Sequence, residues 1–179
     1  MTSHRTASHA LAGIGAALLM VAVLSGCTPE PEPTPTPTAA FASEEEAFAA
    51  AEEVYEEYLA ASAKRAAGDA SSAPESFLTG DALQADVDAQ RTLKEQGISI
   101  SGSSTIHQFS PVSADTSGRV AKVVADVCVD ISASRVVDTS GTDVTPADRP
   151  DRSLITVTFT GSSAELFVAS SSSQQGDEC

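Results

Sequence analysis

The chain has 179 residues, with 10 Lys and Arg against 25 Asp and Glu, a formal net charge of −15, no Trp and only 4% aromatic residues. That charge excludes a surface that neutralises nucleic-acid phosphates, and it is repelled by anionic lipid headgroups. Scarce aromatics argue against a stacking platform for sugars or single strands.

Residues 1 to 9 hold Arg5, His4 and His9 and no acid, and Ala10 to Leu24 is almost wholly apolar. A charged start followed by an apolar run of about 15 residues is the pattern of a secretory signal peptide. It falls short of the roughly 20 residues that span a bilayer. The run closes on Leu24-Ser25-Gly26-Cys27, which resembles the lipobox of bacterial lipoproteins. In those proteins the cysteine thiol takes a diacylglyceryl group, and cleavage before it makes the cysteine the N-terminus. The resemblance implies that residues 1-26 are a lipoprotein signal peptide and that Cys27 is the lipidation site. The mature chain would have 179 − 26 = 153 residues and a charge near 9 − 25 = −16. Acyl chains of the palmitate kind, at about 0.8 kcal/mol per buried methylene, would then supply the membrane attachment that the acidic surface cannot.

Residues 27-42 read as a tether. Pro29, Pro31, Pro33, Pro35 and Pro37 stand at alternate positions from Thr28 to Thr38. Each ring fixes its own φ and restricts the residue before it, so an extended polyproline rod is expected. At about 3.1 Å per residue it spans roughly 35 Å.

A domain is expected over residues 43-179. Ser43-Glu44-Glu45-Glu46 is a capping box. Phe48, Ala51, Tyr55, Tyr58 and Leu59 follow at helical spacing, with Glu52, Glu53, Glu56 and Glu57 on the other side. Lys64 and Arg65 suit the last turn and Gly68 the stop. A second helix is expected from Thr79 to Gln96 through Leu83, Val87, Ala89 and Leu93, ending at Gly97.

From Ile98 the apolar period becomes two. Ile98, Ile100 and Ile106 are expected to share one face. Between Arg119 and Ile131, Ala121, Val123, Ala125, Val127, Val129 and Ile131 point one way, and Lys122, Asp126, Cys128 and Asp130 the other. Residues 136 to 138 form a short strand. Ile155, Val157 and Phe159 mark another, with a hairpin at Thr160-Gly161-Ser162 leading into Ala164 to Ala169. Helices followed by such strands give an α+β fold: N-terminal helices packed on a curved antiparallel β-sheet. Cys128 and Cys179 are an even pair in an exported chain, so a disulfide between them is expected. A free Cys128 or an intermolecular link through Cys179 are the alternatives. The tail from Ser170 to Glu178 is too polar to dock by itself.

Several phrases, among them Thr79-Gly80-Asp81-Ala82-Leu83, Val127-Cys128-Val129-Asp130 and Asp148-Arg149-Pro150, resemble a large group of uncharacterised actinobacterial lipoproteins. Their ectodomain looks like the nuclear-transport-factor-2-like, cone-shaped α+β superfamily. The resemblance implies a sheet wrapped about helices, with an apolar pocket in the cone to which Tyr55 and Tyr58 would contribute. It implies no particular activity.

An enzyme on such a cone would resemble ketosteroid isomerase, with an inward acid or His and a Tyr donor. Asp126 and Asp130 alternate away from the apolar face, and His107 has no evident partner. No catalytic residue, metal site or cofactor is therefore assigned: a lone mature histidine does not make a zinc site, and Asp138 to Asp143 lacks the acids of a calcium loop. The expected function is a membrane-anchored lipoprotein on the extracytoplasmic face, a non-catalytic binding or accessory module for an envelope protein partner. The alternative is a carrier of a small apolar or lipidic ligand in the cone.

Overall fold

The computed structural model describes residues 39–173 and Cys179. The expected signal peptide, the expected lipidation site Cys27 and the proline-rich segment lie outside the described residues.

Helix α1 spans Glu44–Ala66 and helix α2 spans Gly80–Gln96, with a 3-10 turn at Pro74–Phe77 between them. Ser43 caps α1, its hydroxyl accepting from the Glu46 amide at 3.1 Å. Glu46 reaches back one residue further than a capping box requires, to the Ala42 amide at 2.8 Å. Ala47, Ala51 and Tyr55 are buried at intervals of four, so small side chains let α1 lie close to the sheet below.

Six strands follow: β1 Ile98–Ser101, β2 Thr105–Asp115, β3 Ala121–Asp130, β4 Arg135–Asp138, β5 Arg152–Ser162 and β6 Glu165–Ser173. They form two sheets. Strands β2-β3-β5-β6 make a four-stranded antiparallel sheet, while β1 pairs only with β4. The fold is α+β, two helices packed on a curved antiparallel sheet. Register shifts in β2 near His107 and Val112, and in the β5–β6 pairing at Thr158, accompany the bend.

Alternation in β3 matches expectation: Ala121, Val123, Ala125, Val127 and Val129 are all buried. With Val157, Phe159 and Val168 they form the floor on which α1 lies. Two expectations change. Ile98 and Ile100 do not share a face with Ile106, because β1 belongs to the small sheet and β2 to the large one. The serine run is not a loose tail: Ser171, Ser172 and Ser173 pair with Val157, Thr156 and Ile155. Ladder hydrogen bonds come from the backbone, so a strand can continue where side chains give no signal.

Cys128 and Cys179 lie at disulfide distance, with sulfurs 2.08 Å apart, 51 residues apart in sequence. Ala40 and Phe41, placed by sequence in the tether, are buried. The Ala40 amide donates to Gly118 O at 2.8 Å, and Ala40 O accepts from the Ser163 amide at 3.0 Å. The folded domain thus takes in these residues, at the end of the large sheet that carries the β2–β3 and β5–β6 turns.

Candidate functional site

Aromatic side chains pack between helix α1 and the large sheet. Tyr55 is buried and stands edge-on to Phe159, with centroids 6.2 Å apart at 83°. Phe109 approaches Phe159 from β2 at 6.5 Å. Burial, with a smaller push from neighbouring Tyr58, raises the Tyr55 phenol far above its ordinary pKa. Tyr55 is therefore a core residue, packed in this aromatic cluster, and it is not among the residues that line the groove described next.

A groove of about 760 Å³ runs between the second half of α1, the second half of α2 and strand β1. Tyr58, Leu59, Leu93 and Ile98 give it apolar walls, and Arg65 and Lys94 bring cations to it. A recess of about 330 Å³ adjoins it, sharing Leu59 and Ser104. Sites that hold small ligands or peptide side chains have volumes of about 300–1,000 Å³ and mixed walls of this kind.

One ion pair fixes the groove. Arg65 grips Asp86 with two hydrogen bonds, Nη1 to Oδ2 at 3.0 Å and Nη2 to Oδ1 at 2.7 Å. The Asp86 side chain is only 11% exposed. Glu75, 3.7 Å from Arg65, completes the cluster. A forked guanidinium–carboxylate contact is directional, so it sets the distance between the two helices. Sequence reading missed this pair because an acid on an amphipathic helix reads as exposed. Its spacing with Ala82, Ala89 and Leu93 was the available signal. Leu83 and Val87, expected on the packed face, point outward instead, and Val87 is 50% exposed.

Tyr58 shares this environment. Burial first, and then the charge of Asp86, push its phenol up from the ordinary value. Ser62 Oγ, buried beside it, has no partner at hydrogen-bonding distance and geometry, although its nearness slightly favours the phenolate. The neutral phenol is thus the form held at physiological pH, a hydrogen-bond group and not a base.

Strand β1 is positioned by its neighbours. Gly97 ends α2 with φ +65, a left-handed stop that starts β1 immediately. Gly102, at φ +82, lies against the β3–β4 turn so closely that a Cβ would sit 2.0 Å from Ala133 O. The same turn is held by Arg149, whose Nη2 donates to Ile131 O at 2.9 Å and Ser134 O at 2.8 Å. This explains the Asp148-Arg149-Pro150 phrase: the arginine ties down the turn that leads into the small sheet.

The remaining sequence candidates do not converge on the groove. Asp126, on the outer face of β3, accepts from Thr156 Oγ1 at 2.6 Å. Asp130 accepts from the amide and hydroxyl of Ser132. His107 is exposed on β2. Among the described residues no group of three or more His, Cys, Asp or Glu is placed to hold a metal ion, and no helix is long and apolar enough to cross a membrane.

No known family model matches the chain, and no curated protein matches it. Among solved structures it is similar to the intermembrane space region of the chloroplast protein ARC6, at 14% identity and a TM-score of 0.48, over 70% of this chain and 94% of that one.

Proposed function

We propose that the protein is a lipid-anchored, extracytoplasmic binding module that presents the α1–α2–β1 groove away from its tether. The observation that carries this reading is the separation of the two ends. The chain enters the domain at Ala40, beside Gly118 and Ser163. The groove begins around Tyr58 on α1 and reaches Ser104, just before β2. From Glu44 to Tyr58 helix α1 rises about 21 Å at 1.5 Å per residue. An 11-residue strand spans about 36 Å at 3.3 Å per residue. Both lengths separate the point of entry from the groove.

The membrane side rests on the lipobox-like Leu24-Ser25-Gly26-Cys27 and on the resemblance of several phrases to actinobacterial lipoproteins of the nuclear-transport-factor-2-like kind. An anchor at Cys27 would attach to the domain through its entry end, which is remote from the groove. A partner protein suits a groove remote from the point of attachment better than a lipid drawn from the membrane. Replacing Cys27 by Ala is expected to abolish metabolic lipid labelling; unchanged labelling would refute the anchor. A photo-crosslinking residue at Gln90, on the groove wall, is expected to give a discrete protein adduct in living cells. The same probe at Val120, exposed near the entry end, is expected to give none. Equal adducts at both sites would contradict the reading.

The groove's volume also suits a small amphipathic ligand. That second reading predicts a bound small molecule in native mass spectrometry of the purified chain.

A further inference from the structure

The small sheet has one covered edge and one open edge. On β4, the Val136 amide donates to Thr145 Oγ1 at 2.9 Å, and Val136 O accepts from the Val144 amide at 2.8 Å. The Asp138 amide donates to Thr142 O at 3.0 Å. Both residues therefore turn their backbone groups away from β1. In an antiparallel pair, opposed residues either exchange two hydrogen bonds or both face outward. Val136 opposes Ile100 and Asp138 opposes Ile98, so Ile98 and Ile100 also direct their N–H and C=O outward, on the side of β1 remote from β4. Among the described residues those groups have no protein partner.

The open edge faces the groove. Ile98, Ser99 and Ile100 are consecutive and all line it. Side chains alternate across a strand, so three in a row can meet one hollow only where the strand offers its edge. An unpaired edge is a template for another extended chain.

Charge narrows the occupant. Between Glu44 and Glu57, α1 carries seven acids and no base, and that surface repels an anionic partner. The four cations of the helical layer, Lys64, Arg65, Arg91 and Lys94, all stand towards the groove end. Arg65 is engaged by Asp86 and Glu75, and Arg91 by Asp88 and Glu95. Lys94 lines the groove with no acidic partner among the described residues.

We propose that the groove receives an extended segment of a partner protein that adds as a strand to the free edge of β1, with an acidic side chain meeting Lys94. The segment exchanges backbone hydrogen bonds with Ile98 and Ile100, and its alternate apolar residues enter the space between Leu59 and Leu93. Because β1 has only four residues, its edge alone is a small template. The helical walls therefore supply the remaining contact. This proposal rests on the binding-module reading and specifies how the module binds.

The test uses the full chain in detergent and a bead library of capped octapeptides randomised at every position. Selected binders are expected to alternate apolar and polar residues and to contain Asp or Glu. On binding, the Ile98 and Ile100 amides should slow in hydrogen exchange by tenfold or more. The Ser99 and Ser101 amides, which already face β4, should change less than twofold. Methylating alternate peptide nitrogens should weaken binding at least tenfold in one register and leave the other register unaffected. Lys94→Glu should weaken acidic binders at least fivefold while keeping the thermal midpoint of the native chain. Binders that protect other surfaces, such as Leu83 to Val87, would overturn strand addition while leaving the module reading intact. If no peptide binds and Gln90 gives no crosslink in cells, both readings fail. Binding insensitive to N-methylation in either register, or recovery of helical peptides alone, also overturns the proposal.

Discussion

The four-stranded and two-stranded sheets share antiparallel geometry but treat their edges differently. In the large sheet, β2 carries two register shifts and Pro111 along its outer side. On the opposite side, β6 is joined near Val168 by Leu78 and Thr79, and its far half is all serine. Bulges, proline and polar edges are the usual devices that discourage added strands. In the small sheet, residues 142 to 145 cover β4, while β1 is left open beside apolar walls. The first sheet carries stability and the second carries a surface. Burial follows the same division: Val123, Val127, Val157 and Phe159 are fully buried, whereas Ile100 is 41% exposed.

Substitutions should separate these roles. The largest effect is expected from Phe159→Ala, which removes the ring shared by Tyr55 and Phe109. A loss of about 3–5 kcal/mol in denaturant unfolding is expected, as for other buried Phe truncations. Ile100→Ala should cost under about 1 kcal/mol, since little surface is recovered on folding. Comparable losses at both sites would break the contrast.

Cys179→Ser should come next. Opening a link between residues 51 apart is expected to cost about 2–4 kcal/mol, mainly through the freed unfolded chain. A mass difference of two hydrogen atoms between the oxidised and the reduced chain would check the pairing itself.

A smaller and more local effect is expected from Arg65→Ala. It leaves the Asp86 carboxylate, nearly buried, without its guanidinium. A loss of about 1–3 kcal/mol is expected, reduced from the fully buried case because Arg65 is partly exposed. Arg65→Ala combined with Asp86→Ala should recover part of that loss in a double-mutant cycle. Strictly additive losses would mean that the pair does not set the groove.

Acid should act most weakly. Asp69, Asp115, Asp130, Asp138 and Asp143 each accept from a Ser or Thr two residues on, and these bonds hold each carboxyl below its ordinary value. A carboxylate whose pKa is lower in the folded state supports folding above its unfolded value, near 3.9 for Asp. That support falls away as pH drops through the lower folded values. Thermal midpoints should therefore decline below about pH 4. Asp138→Asn, which keeps an acceptor but does not titrate, should decline slightly less. These turns lie at or near the surface, so the change is expected to be small.

Much of this was legible in sequence, and the failures share a cause. Alternation from Ala121 to Val129 and the Ser43 cap were readable because burial and capping leave local periodic marks. The Cys128–Cys179 pairing was readable from the cysteine count in a chain read as exported. Assignment of β1 to a separate sheet was not, because Gly102 against Ala133 is a contact between distant segments. Strand β6 continues through Ser173 on backbone bonds alone, which composition does not encode. The groove itself depends on Arg65 meeting Asp86 across 21 residues, and each side chain read as solvated.

The account turns on the open edge of β1, and amide hydrogen exchange of the unliganded chain tests it most directly. Ser99 and Ser101 are predicted to be protected by β4, while Ile98 and Ile100, which alternate with them, exchange at least tenfold faster. Equal protection at all four amides would show the edge to be covered, and would contradict the account.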